Sequence, residues 1–157
     1  MKKQLTLAYL IDADRICLAL KKRGFGEGNW NGFGGKVEDG ESIAEATVRE
    51  LKEESTVGVS PDDLEPASVI EFHFKDGKHL EVFSFFVRRW DGEPRETEEM
   101  RPAWFSFSEI PLDKMWADDE HWLPRALRGE RLRGVVRFSG DGRTIESMEW
   151  TAVAMLP

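Results

Sequence analysis

Residues 35–57 read GKVEDGESIAEATVRELKEESTV, and the run closes with Glu50, Glu53 and Glu54 inside two helical turns. Ser42 followed by Glu45 has the capping-box spacing that opens a helix, and the pattern carries it to about Ser55. At about 100° per residue, the three acids share an arc of roughly 100°, apart from an apolar stripe of Ala44, Val48 and Leu51. A solvated acidic face is the plain reading of such a run. Yet a merely wetted helix gains from Glu–Arg pairs at i,i+4, as Glu45 and Arg49 are spaced to form, whereas Glu50 over Glu54 costs about 0.2–0.5 kcal/mol. A divalent cation would offset that repulsion, because Mg²⁺ and Mn²⁺ take hard oxygen ligands between carboxylates and phosphates.

Upstream, GFGEGNWNGFGGK (24–36) invites a phosphate-loop reading that the spacing rejects. A Walker A loop ending at Gly35-Lys36 needs glycine at 30 and Ser or Thr at 37, where Trp30 and Val37 stand. A dinucleotide fingerprint through Gly32 and Gly34 needs a third glycine, also at 37. The glycines from Lys21 to Gly35 then read as loop. Leu5–Ile11 and Ile16–Leu20 read as strands around the turn DADR, and Ala67–Phe74 and His79–Arg88 as a hairpin closed by KDGK. Asp91–Glu99 is a polar loop, Arg101–Phe107 a strand and Trp122–Arg128 a helix. Gly134–Phe138 and Ile145–Val153 flank a last turn, SGDGR. Many strands with two helices make an α+β layered domain, expected to be a single one over residues 1–157.

The formal charge of −8 argues against a nucleic-acid backbone as partner, since that affinity comes from Lys and Arg displacing counterions. A small anion bridged by metal remains open. The lone Cys17 lies in an apolar run, which fits a structural thiol and a reducing, cytoplasmic compartment. KKQLTLAYLI (2–11) is too brief and too soon followed by Asp12 and Asp14 for a secretory signal, and no apolar run reaches membrane-spanning length. A monomer without membrane partner is expected.

Gly35, five residues, Glu41, seven residues, Arg49-Glu50-Leu51, one residue, Glu53-Glu54 resembles the box of the Nudix family, with Val57 in its final apolar place. The one departure is Thr56, where the family has glycine. A glycine there would supply the left-handed helix cap, so Thr56 is expected to shift the helix exit towards Gly58. The resemblance implies the Nudix α/β/α sandwich with a mixed β-sheet. It also implies divalent metal on Glu50, Glu53, Glu54 and the carbonyl of Gly34, Arg49 orienting a glutamate, and Glu53 or Glu54 as general base. Lys21 would hold a phosphate or stand as a solvated loop lysine.

Outside the box, KKRGFGEGNWNGFGGKVEDGES, EEMRPAWF and MWADDEHWLP look like the branch of that family related to MutT, which hydrolyses oxidised purine nucleoside triphosphates such as 8-oxo-dGTP. That likeness implies that Asn31, Asp118 and Asp119 hydrogen-bond the base and that Trp116 stacks on it. Phe25, Met100 and Trp122 would line the pocket, Thr6 would floor it, and Glu99 would add a metal ligand. The competing reading of Asp118-Asp119 is helix capping. Pro124 weakens it, since a cap at Asp119 would put the proline inside the second turn. Two crowded carboxyls resist ionising together, so one can donate to the base while the other accepts. Trp90, Trp104 and Trp150 read as core. A hydrolase of another nucleoside diphosphate derivative such as ADP-ribose, and a silent nucleotide-binding module, are the rival functions. A silent module would not need to keep Arg49 and the three glutamates.

Overall fold

The computed structural model describes residues 2–157. Its spine is β1 (Lys2–Asp12), whose stretch Ala8–Ile11 is buried on both faces. Such a strand belongs in the middle of a sheet. It runs parallel to β6 (His79–Val87) on one side. On the other it pairs antiparallel with β2 (Arg15–Lys21) near its end and with β4 (Phe33–Lys36) near its start. β2 continues to β3 (Trp30–Asn31) and β7 (Met100–Ser106), while β6 continues to β5 (Leu64–His73), β8 (Leu132–Phe138) and β9 (Ile145–Ala152). The β1–β6 and β5–β8 pairs are parallel and the rest antiparallel, so the sheet is mixed.

Alternation along β1 and β2 separates two cores. Ala8, Leu10, Cys17 and Ala19 face α1 (Ile43–Ser55) through Leu51, whereas Tyr9, Ile11, Ile16 and Leu18 face α2 (Asp119–Leu127) through Trp122 and Leu123. The expected three-layer sandwich is therefore present. Trp90 and Trp104 stack beside the first core at 6.0 Å, and Trp150 packs on the second over Gly134.

Three local expectations change. Of the loop expected over Lys21–Gly35, Lys21 closes β2, Trp30–Asn31 form β3 and Phe33–Gly35 belong to β4; at Gly34 a Cβ would lie 1.7 Å from the carbonyl oxygen of Thr6, so the glycine permits a strand approach that its propensity hides. Thr56 does not displace the helix exit. It adopts the left-handed conformation itself, at φ 70°, and its N–H closes on the Lys52 carbonyl. And α2 begins three residues before Trp122, with Pro124 inside it; the carbonyl this frees belongs to the exposed Glu120, where water can satisfy it.

Candidate active site

The capping box on Ser42 and Glu45 forms as expected, and it occupies the Glu45 carboxylate, which accepts from the Ser42 N–H at 2.9 Å. Glu45 consequently does not pair with Arg49. The helix turns Thr47, Leu51, Glu54 and Ser55 inward, leaving Ala44 and Val48 only half-buried, so the apolar stripe read from periodicity is displaced towards the acids. The reason lies at β1 and β4. The Thr6 hydroxyl meets the Thr47 hydroxyl, and Glu54 Oε1 accepts from the Gly34 N–H at 2.8 Å.

The three glutamates thus occupy three environments. Glu54 is 6% exposed, and loss of hydration pushes its pKa up to about 7 against the pull of the Gly34 N–H. Glu50 presses on the Gly35 backbone so closely that a Cβ there would lie 2.7 Å from its Oε1; desolvation also raises its pKa, opposed by Arg49. Glu53 keeps 58% of its side chain in solvent. Arg49 ties them together. Its Nε and Nη2 grip both oxygens of Glu41 at 2.6 and 3.0 Å, its Nη1 reaches Glu50 at 2.9 Å and Glu53 at 3.3 Å, and Nη2 also donates to the Lys36 carbonyl at 3.0 Å. The fork holds the Glu41 carboxyl down at about 2. Beyond them, Glu99 sits between Arg23, at 2.8 Å, and Lys21, at 3.7 Å, and those cations lower its pKa.

A cleft of about 310 Å³ is lined by Thr6, Lys21, Asn31, Gly34, Gly35, Met100, Trp116, Asp118, Asp119 and Trp122, among others. Both aspartates are buried. The cap reading fails, because Asp118 has helical backbone angles and its side chain caps no N–H. Instead the indole N–H of Trp122 donates to both carboxyls, 3.1 Å from each, and Asp119 Oδ2 accepts from the Trp116 N–H at 3.2 Å. Burial raises Asp118 to about 6 and Asp119 well above its usual range, the latter also by the charge of Asp118. Phe25, 72% exposed, stacks on Trp116 at 5.2 Å.

The Nudix domain profile matches residues 1–126. The chain belongs to the Nudix family. It is 44% identical to an oxidized purine nucleoside triphosphate hydrolase of Danio rerio over 92% of each chain, and 43% identical to its namesake of Mus musculus over 90% of each. In fold it is similar to a mutator MutT protein of Bacillus halodurans, with a TM-score of 0.78 and 26% identity over 94% of this chain and 97% of that one. Nudix hydrolases act on small nucleotide substrates with divalent metal cations. The donors here fit such a cation: hard carboxylate oxygens, one of them buried and accepting from a backbone N–H. Among the described residues, no helix is long and apolar enough to cross a membrane.

Sequence reasoning missed several residues of this Nudix cleft. Tyr9, fully buried, donates to Asn31 Oδ1 at 3.3 Å, meets Trp122 edge-on at 6.0 Å and lies close enough to the aspartates for their charge to raise its pKa. Gly32 leaves room for it, since a Cβ would fall 2.9 Å from the tyrosine ring. Phe72, Phe74, Leu80 and Val82 form the apolar wall. Their alternation was legible in the hairpin, but not which face they would line.

Proposed function

We propose that the chain hydrolyses oxidised purine nucleoside triphosphates, of the 8-oxo-dGTP and 2-hydroxy-dATP type, to the nucleoside monophosphate and pyrophosphate, with Mg²⁺ as cofactor and Mn²⁺ able to replace it. The observation that supports this most strongly is the buried pair Asp118–Asp119, lining the same cleft as Gly34 and Gly35, whose backbone Glu54 and Glu50 lie against. A base held by the aspartates and phosphates held beside the glutamates match the chemistry of a nucleotide. The relatives named for oxidised purine triphosphates point the same way.

In this reading Trp116 offers a flat indole to the purine, while Asn31, Asp118 and Asp119 read its edge. Phe25 turns from Trp116 onto the base. Met100 and Trp122 wall the pocket, Thr6 floors it, and Lys21 holds a phosphate. Glu50, Glu53 and Glu54, with the Gly34 carbonyl and Glu99, hold divalent cations. When bound, these neutralise phosphate oxygens and acidify a water. Glu53 or Glu54 is then placed to take a proton from the attacking water. Arg49 keeps Glu50 and Glu53 aligned through a guanidinium already anchored on Glu41. One buried aspartate retains its proton and donates while its neighbour accepts, and exchange of those states admits both oxidised guanine and oxidised adenine.

We further read residues 1–157 as one catalytic unit acting as a cytoplasmic monomer, with neither nucleic acid nor membrane as partner. The continuous sheet from Lys2 to Ala152, the single cysteine and the acidic balance support this. The test is incubation with Mg²⁺ and 8-oxo-dGTP, 2-hydroxy-dATP, dGTP or ADP-ribose, scored by pyrophosphate release and product mass. Preference for the two oxidised triphosphates is expected. Preference for ADP-ribose would overturn the substrate and leave the fold untouched.

A further inference from the structure

On the sheet face opposite the cleft, the β5–β6 hairpin carries a second group of ligating side chains. Ile70 and Phe72 point into the cleft, so Glu71 and His73 emerge on the other side. Register pairs His73 with His79 and Glu71 with Glu81 across the two strands. Glu71, His73 and His79 are each half-buried, and each offers a ligand atom within 4.8 Å of the others.

Neighbouring groups leave those atoms available. Glu81 is already held, accepting from Gln4 at 3.1 Å and lying 3.4 Å from Lys2 Nζ. Glu71 has only distant contacts, 3.8 Å to Lys2 and 3.7 Å to His79 Nε2. That nitrogen is buried and has no hydrogen-bond partner among the described residues, which leave its polarity unanswered in either tautomer of His79. The two imidazoles lie face to face at 4.1 Å, and burial together with the mutual nearness of the rings and of Arg137 holds His73 below its usual pKa. Neutral imidazole is the ligating form.

We propose that Glu71, His73 and His79 form a binding site for an imidazole-seeking divalent cation of the zinc type, distinct from the oxygen-ligated centre on α1. The division follows ligand chemistry: two imidazoles and one carboxylate suit Zn²⁺, whereas Mg²⁺ prefers oxygen alone. Tetrahedral zinc with ligands at 2.0–2.2 Å holds its ligand atoms about 3.3 Å apart. The present spread closes by side-chain rotation, with the stacked rings splaying and Glu71 leaving Lys2. The cation staples the two strands at the base of the KDGK turn, behind the wall formed by Phe72, Phe74 and Leu80.

The experiment is calorimetric titration of ZnCl₂ into the full chain in millimolar Mg²⁺, paired with thermal unfolding. The wild type is expected to show a zinc-binding event that raises its Tm. In His73→Gln, His79→Gln and Glu71→Gln that event weakens at least tenfold and the Tm rise is lost, while Mg²⁺-dependent turnover is unchanged. Absence of the event in the wild type overturns the proposal, and so does full zinc affinity in either histidine variant. Failure of the purine-substrate reading would leave this result unaffected.

Discussion

At the scale of single residues, the site is governed by how burial distributes protons and charge. Asp118 and Asp119 share one indole donor and are both buried, so desolvation, with the charge of Asp118 acting on Asp119, favours keeping a proton on the pair. Asn can donate and accept but cannot exchange those roles by protonation. Asp118→Asn and Asp119→Asn are therefore expected to shift the ratio of 8-oxo-dGTP to 2-hydroxy-dATP turnover in different directions, and equal ratios in all three proteins would dismiss proton exchange. Arg49 is a geometric device in which one planar fork serves Glu41, Glu50 and Glu53 together. Lysine keeps the charge but not the fork. Arg49→Lys is expected to lower kcat about 10²-fold with KM little changed, as steady-state kinetics would read. The arginine and the glutamates stood out in sequence because like charges were stacked without an obvious gain. The aspartates were ambiguous, since Asp before an apolar helical run also caps helices, and Tyr9 gave no signal within the apolar run of β1.

At the scale of elements, the helix end is where sequence pattern and backbone physics part. Thr56 holds φ 70° although a β-branched residue is strained there. Partial compensation comes from its hydroxyl, 3.3 Å from the Glu93 carbonyl, and from Lys52 Nζ, 3.2 Å from its own carbonyl. Glycine would relieve the strain at some cost in unfolded-chain entropy. Thr56→Gly is expected to gain about 1 kcal/mol, which for a chain of this size raises Tm by about 2–4 °C in calorimetry. Unchanged or lowered Tm would mean that the hydroxyl contact outweighs the strain. The same balance explains what the sequence made legible. The box helix and the hairpins follow periodicity and turn residues, and were placed to within a few positions. β4 was invisible because Phe33-Gly34-Gly35-Lys36 has poor strand propensity, and only its pairing with Leu5–Ala8 makes it a strand.

At the scale of the whole molecule, β1 joins two chemistries. Ala8 and Leu10 seat the glutamate-bearing helix on one face, Tyr9 and Ile11 seat the aspartate-bearing helix on the other, and the glycines at 32, 34 and 35 line the cleft or let its strands approach. Burial makes Glu54 a liability in the absence of a cation. Glu54 has a folded pKa of about 7 against an ordinary value of 4.5, so the folded chain binds more protons than the unfolded one between those pH values. Its contribution to stability is present below about pH 4.5 and is lost as pH rises through about 7. At pH 8 the metal-free protein therefore carries the full penalty of a buried carboxylate, and Glu54→Gln is expected to unfold at a higher temperature than the wild type. Mg²⁺ narrows that gap. At tenfold above its dissociation constant it adds about 1.4 kcal/mol to the wild type, a Tm rise of about 3–6 °C. Glu54→Gln, lacking the carboxylate, is expected to respond by less than half as much. Equal Mg²⁺ shifts in both proteins at pH 8 would remove Glu54 from the metal centre.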